Sequence, residues 1–340
     1  MDPSVSTSPE RADEQRSGWG GPAVAPSSLE AIREAAGTIA GVSRNTPLVP
    51  LRSYGLAEES LGIELKLETL QDVASFKIRG VYNWLSHLTP AERAAGLNTH
   101  SAGNTAQALG YAAQRFGCDA QTLVPNRTPE GKLEAIRKYG VKTIAVSMDE
   151  LLDFIFSAGW TEEPQSYLNP WGDPMMIAGN ATVALEILEE RPDMASLFVP
   201  VGGGGLLAGV GSAVRALKSS CRVVAVQVES CQALSGALSH GGPVWVPMGD
   251  SLSDISLPVI VDELFPLLAS VVDEVITVGE DELREAVRIL AVENKVVAEG
   301  AGALALAGAL QVDQAIRGES ACIVSGASLD PATLANILGH

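Results

Sequence analysis

Apolar positions recur along this chain in two periods, and the two alternate. Residues 27–41, SSLEAIREAAGTIAG, open with a capping serine, Ser28, and set Leu29, Ile32 and Ala36 on one helical face. Residues 63–68, IELKLE, alternate as a half-buried strand does. A helix is predicted from Gly80 to Leu88, and a second over 106–117 stops at a glycine. A strand (120–125), a helix (129–140), a strand (141–147) and a helical segment (148–157) come next. Residues 162–174, EEPQSYLNPWGDP, read as a loop. A helix over 181–190 precedes SLFVPVGGGGLLAGVGSAVRAL, which reads as strand, glycine loop and helix. Residues 222–229 form another buried strand, and 272–310 a strand with two helices.

Strands that are near-continuously apolar, alternating with helices, predict an α/β protein whose mostly parallel sheets are covered on both faces. No repeat or low-complexity linker interrupts the middle, so two lobes sharing a cleft fit better than separate beads. The first 27 residues are polar and rich in Ser, Pro and Gly, and are expected to form a disordered or loosely draped tail.

Composition narrows the partners. The 340 residues are 46% hydrophobic and 19% charged, enough to bury a large core, and carry a net charge of −18. Such a chain repels phosphate backbones and anionic membranes, which argues against both as partners. The most apolar run, AGALALAGAL at 301–310, is too short to span a bilayer. No apolar signal segment opens the chain. The four cysteines make no zinc spacing and read as small hydrophobes of a reducing compartment, which points to the cytoplasm.

Four segments carry candidate chemistry. An apolar strand runs into Gly202, Gly203, Gly204 and Gly205 and then directly into a helix. Consecutive glycines let several N–H groups converge beside the positive end of that helix, a phosphate cradle without a lysine. In THSAGNTAQALG, residues 99–110, short polar groups precede a helix start, where a carboxylate or hydroxyl could be held, although such residues are usually only caps. Lys77 lies between Phe76 and Ile78; such a lysine ordinarily snorkels to the surface, but desolvated it becomes a nucleophile for a carbonyl. In IVSGAS, residues 323–328, a strand ends at Ser325, whose hydroxyl could meet a pyridine nitrogen without fully protonating it. A phosphate cradle with a reactive amine suggests an aldehyde that carries phosphate, pyridoxal 5′-phosphate.

The order NTPLVPL, LKLETLQDVASFKIRG, SAGNTAQALGYAAQRFG, GNATVALEIL, VPVGGGGLLAGV, VAEGAGALALAG, VSGAS resembles the fold-type II pyridoxal-phosphate enzymes, specifically the threonine/serine dehydratase and serine racemase family, over about residues 45–330. The resemblance implies a tryptophan synthase β-like fold. It would have a large domain (28–94 and 173–340) and a small mobile one (95–172) that closes over the substrate. It implies that Lys77 holds the cofactor as a Schiff base and later moves the α-proton, with Phe76 beside the ring. Asn104 would bond the 3′-oxygen. Gly202, Gly203, Gly204 and Gly205 would hold the phosphate, and Ser325 would meet the pyridine nitrogen with Glu299 nearby. Ser101, Gly103 and Thr105, with Ser75, would hold the substrate carboxylate. Relatives are commonly homodimers.

Several positions depart from the family pattern. Val73 and Ala74 stand where Thr-Gly precedes the serine. Thr105 replaces a histidine, as in the sulfhydrylase branch. SGAS replaces SGGN, and Ile255 follows Asp254 where the family has glycine, which would crowd the pocket. Glu229 matches one ligand of a metal site found in some relatives, but Ser235 stands where an aspartate should. Ala102 occupies the position of a serine that acts on the opposite ring face in racemases, which favours dehydration. The expected activity is β-elimination from an L-β-hydroxy-α-amino acid such as threonine or serine, giving a 2-oxo acid and ammonia. The alternative is a β-replacement transferase working through an aminoacrylate. Racemisation and a degenerate binding scaffold rank below these two.

Overall fold

Two parallel sheets organise the chain. The computed structural model describes residues 18–52, 62–254 and 257–339. One sheet has six strands in the order β1 (Leu48–Pro50), β2 (Ile63–Leu67), β10 (Ser320–Val324), β7 (Ser196–Pro200), β8 (Arg222–Val228) and β9 (Glu274–Val278). Every neighbour pair in it is parallel except β1 with β2 at the edge. Pro50 sits in that edge strand, where a missing N–H costs no ladder bond. All residues of β7 and β10 are buried, as strands covered on both faces require. The second sheet is wholly parallel, in the order β5 (Lys142–Val146), β4 (Ala120–Pro125), β3 (Leu97–His100), β6 (Ser166–Tyr167). Its four strands all come from residues 97–167.

The α/β class expected from the alternation is what the fold shows. The helices are α1 (Leu29–Ile39), α2 (Lys77–His87), α3 (Pro90–Ala94), α4 (Asn104–Phe116), α5 (Glu130–Arg137), α6 (Met148–Phe156), α7 (Pro174–Glu190), α8 (Gly205–Ala216), α9 (Ala233–His240), α10 (Phe265–Val271), α11 (Glu280–Val292), α12 (Gly300–Leu310), α13 (Gln314–Arg317) and α14 (Pro331–Leu338). Ser28 caps α1 as its sequence promised, and α4 ends at Gly117 with φ +66°. Differences have local causes. α7 begins seven residues before the predicted start at 181, because Asp173 accepts from the amides of Met175 and Met176 and Pro174 fits the first turn. The predicted loop 162–174 contains β6, whose two residues are too few to show a period.

Residues 18–27 correct part of the expected tail; residues 1–17 lie outside the described residues. The Gly21 amide donates to Glu263 at 3.1 Å, and the Val24 amide to the Glu263 carbonyl at 2.8 Å. Trp19 packs edge-on to Trp160 and lies against Gly172, where a Cβ would meet its ring at 2.5 Å. Burying an indole outweighs the low hydrophobicity of its neighbours.

α12 is the most deeply buried helix, with Gly300 through Ala309 all enclosed. Its composition is glycine, alanine and leucine for a packing reason. A Cβ at Gly302 would meet the Gly326 carbonyl at 2.2 Å, and one at Gly308 would meet Val226 at 2.7 Å. The helix therefore lies close to β8 and to the segment after β10, which brings Glu299 and Ser325 to the same wall. Among the described residues, no helix is long and apolar enough to cross a membrane.

Candidate active site

The C-terminal ends of β3, β7 and β10 open on one cleft of about 300 Å³, the place where parallel α/β sheets bind ligands. Most residues singled out from the sequence meet there. Phe76, Lys77, Ser101, Gly103, Asn104, Thr105, Gly202, Gly203, Gly204, Gly205, Glu299 and Ser325 all line it. They come from five segments spread over some 250 residues of chain.

Lys77 is the first residue of α2, and its ammonium lies 5.0 Å from the centroid of the Phe76 ring. Burial pushes its pKa down to about 8, partly opposed by the charge of Glu299. At pH 7 about a tenth of such an amine is deprotonated, against roughly three in ten thousand at an ordinary lysine value. Capture of pyridoxal phosphate by the cofactor-free chain is therefore expected to accelerate with pH through about 8 and to level off above about 9. Stopped-flow absorbance across a pH series checks this. A rate still climbing at pH 10 would count against a desolvated amine.

Glu299 caps α12, and burial pushes its carboxyl up to about 7, with a hydrogen bond from Asn104 acting the other way. Asn104 Nδ2 donates to Glu299 Oε1 at 2.6 Å. The other amide atom, Asn104 Oδ1, is buried without a partner among the described residues. Ser325 Oγ donates to the Ala301 carbonyl at 3.2 Å. The turn before α4 is held internally, Ser101 Oγ accepting from the Gly103 amide at 3.2 Å.

The glycine loop is shaped by what surrounds it. Gly204 has φ +93°, a left-handed conformation that glycine adopts without strain. A Cβ at Gly203 would stand 2.3 Å from Trp171 Cδ1. Trp171 is fixed in turn by Asn169, whose Oδ1 accepts from the Trp171 and Gly172 amides at 3.1 Å each. Gly203→Ala should force the indole off the loop and weaken pyridoxal phosphate binding about tenfold or more, the equivalent of 1.4 kcal/mol. Equilibrium titration of the cofactor-free chain measures it; a change under about twofold would mean the loop has slack.

Two expected residues stand outside the cleft. Ser75 does not reach the cleft: it is fully buried, bridges Gly326 as an isolated strand pair, and its hydroxyl has no partner among the described residues. The preceding Ala74 occupies φ +53°, where the family has glycine, so this turn is made with a residue that disfavours it. Glu229 lies past β8, away from the cleft, and Ser235 is engaged with Gln227 at 2.6 Å. Among the described residues no group of three or more metal-ligating side chains occurs. Ile255 lies outside the described residues.

The cleft also contains residues that the sequence did not flag. They include His100, Gln107, Lys132, Trp171, Leu257 and Ser328. Gln107 Nε2 donates to Ser328 Oγ at 2.9 Å, and Lys132 pairs with Asp254 at 2.7 Å. His100 directly precedes the polar turn, which was the one signal available in the sequence.

A buried amine, an unpartnered amide oxygen beside a carboxyl group, and a side-chain-free loop opening a helix together fit pyridoxal 5′-phosphate. The chain belongs to the pyridoxal-phosphate dependent enzymes, whose family pattern it matches over residues 39–326. It is 36% identical over 307 residues to an L-threonine ammonia-lyase of Thermotoga maritima, covering 89% of this chain and 76% of that one. It is 34% identical over 323 residues to the catabolic L-threonine dehydratase TdcB of Escherichia coli, covering 92% and 97%. Among solved structures, maize serine racemase superposes with a TM-score of 0.83 at 28% identity, over 92% of this chain and 97% of that one. The fold is that of the fold-type II enzymes, as the motif order implied.

Proposed function

We propose that the chain eliminates water from an L-β-hydroxy-α-amino acid, L-threonine or L-serine, and that the released enamine takes a water back as it hydrolyses to the 2-oxo acid and ammonia. The observation that carries this is the placement of one desolvated amine, Lys77, with Ala102 rather than a proton-transferring side chain in the turn across the cleft. A single base can remove an α-proton from one face but cannot return it to the other, so elimination is favoured over racemisation. The names of the dehydratase and ammonia-lyase relatives support the same substrate class.

Bound pyridoxal phosphate would supply an electron sink for the carbanion at Cα. The chain's residues do the rest. Lys77 would hold the cofactor's aldehyde through its amine, and that amine would be the base for the α-proton. The amides at the start of α8 and along Gly202, Gly203, Gly204 and Gly205 bind the phosphate, and Phe76 flanks the ring. Asn104 and Glu299 would hold the ring edge, and Ser325 would offer its hydroxyl to the ring nitrogen. Ser101, Gly103 and Thr105 bind the substrate carboxylate at the start of α4. Residues 95–172 act as the small mobile domain, with Lys132 and Asp254 meeting across the cleft mouth. The family likeness suggests a homodimer in the cytoplasm.

Incubation with L-threonine or L-serine alone, followed by assay of oxo acid and ammonia, tests the reaction. Both products should appear without a second substrate. Turnover that requires an added nucleophile would replace this reading with β-replacement, which Thr105 in the carboxylate turn would then explain.

A further inference from the structure

His100 ends β3, and its imidazole lines the cleft while only 7% exposed. Nδ1 is hydrogen-bonded to the Tyr167 hydroxyl. Nε2 is shielded from water and has no partner among the described residues. The direction of the Tyr167 bond decides what Nε2 is. Burial holds the phenol well above its usual range, so it is a neutral O–H. Were Nδ1 the donor, the phenol hydrogen would be left without an acceptor among the described residues, at a cost of about 1–3 kcal/mol. The phenol therefore donates to Nδ1, and the ring proton sits on Nε2. Burial, with the Lys77 charge adding to it, pushes His100 down to about 3, so the ring is neutral at working pH.

The pair is held from both sides. Tyr167 lies opposite Asn98 in the β3–β6 ladder and stacks on Trp160 at 4.4 Å and 3°. His100 stands edge-on to Trp171 at 4.7 Å, and Trp171 covers the glycine loop. The imidazole thus shares the cleft with the Ser101–Thr105 turn and the glycine loop and feels the charge of Lys77. An N–H on a residue that lines the cleft, with no acceptor among the described residues, is a donor suited to an oxygen that the substrate brings against it.

We propose that His100 is a catalytic residue of the elimination: its Nε2–H binds the β-oxygen of the substrate and stabilises the charge that gathers there as the Cβ–O bond breaks. Tyr167 is its positioning residue. The assignment rests on the proposed function above. The Cβ–O electron pair leaves on oxygen, and the proton that Lys77 takes from Cα is the one this oxygen needs to depart as water. No outside acid is consumed, and the imidazole keeps its own proton throughout.

The test compares leaving groups in the holoenzyme. His100→Phe keeps the ring packing and removes the donor. Its kcat/KM for L-serine is expected to fall about 10²-fold, the usual loss for one oxyanion donor, while β-chloro-L-alanine, whose chloride leaves unprotonated, changes by less than about threefold. Tyr167→Phe should show the same selectivity with a smaller loss, about tenfold, because the tautomer is no longer fixed. His100→Gln, which retains an N–H, should recover most of the serine rate. Affinity for pyridoxal phosphate and the visible absorbance should be unchanged in all three. Equal losses on both substrates, or weakened cofactor binding, would overturn the assignment and make His100 a scaffold or cofactor contact. A wild-type enzyme that releases oxo acid from neither L-serine nor L-threonine would overturn the proposed function, and this assignment with it, a result unlike an unselective variant.

Discussion

Lys77→Ala is expected to abolish turnover, with kcat down by about 10⁴-fold or more, and to remove the visible absorption band of the holoprotein. Two roles are lost at once. The alanine has no amine to anchor the aldehyde, and no base remains over Cα. The effect should be larger than for other cleft residues because, in the proposed reaction, Asn104, Glu299 and the glycine loop would only hold or orient, whereas Lys77 would move the proton. Folding should be unharmed or improved. Burial of an ammonium is unfavourable, as its lowered pKa of about 8 records, and the methyl group removes that cost. Absorbance, ammonia release and thermal melting read the three outcomes separately. A variant that still releases ammonia at more than about one hundredth of the wild-type rate would exclude Lys77 as the base. Retention of the band by the folded variant would exclude it as the anchor.

Legibility in the sequence followed contiguity. The glycine loop could be read because its four residues are adjacent and sit between a strand and a helix. Lys77 could be read only in combination with that loop, since phosphate binding gives an amine something to hold. The motif order then located Asn104, Glu299 and Ser325, and the cleft does bring them together. Contacts between distant segments were another matter. His100 and Tyr167 are 67 residues apart in sequence, and Tyr167 belongs to a strand of two residues inside what reads as a loop. Trp171 against Gly203 is a steric fact that no spacing encodes. Ser75 shows the opposite failure. It belongs to the lysine motif, yet it is fully buried, pairs through its backbone with Gly326 and is not among the residues that line the cleft. Trp19 misled for a compositional reason: one indole docked on Trp160 and Gly172 orders a segment that its serines and prolines argue against.

The second large effect concerns Arg79, two residues past the reactive lysine on the same helix. Its guanidinium is wholly buried and forks onto Glu68, Nε and Nη2 each donating at 2.8 Å. It also donates to Glu186 at 2.6 and 2.8 Å and to Thr182 at 3.0 Å. Lys66, equally buried, donates to Glu186 at 2.6 Å and to the Thr46 carbonyl at 2.7 Å. Two cations thus meet two carboxylates. Burial alone would push Glu68 up, but Arg79 outweighs it and holds the carboxyl below its usual range. The cluster fastens the start of α2 to the end of β2 and to α7, so it sets where Lys77 emerges. Arg79→Leu leaves Glu68 charged and enclosed without its fork, and should destabilise the fold by about 3–5 kcal/mol in urea titrations. Arg79→Lys should recover little, because a point ammonium cannot bond both carboxylates along their planes. The double variant Arg79→Leu with Glu68→Leu is expected to be more stable than the single one, since a buried ion pair replaced by packed apolar groups is often neutral. If the single variant costs less than about 1 kcal/mol, the cluster is not what seats the helix that carries Lys77.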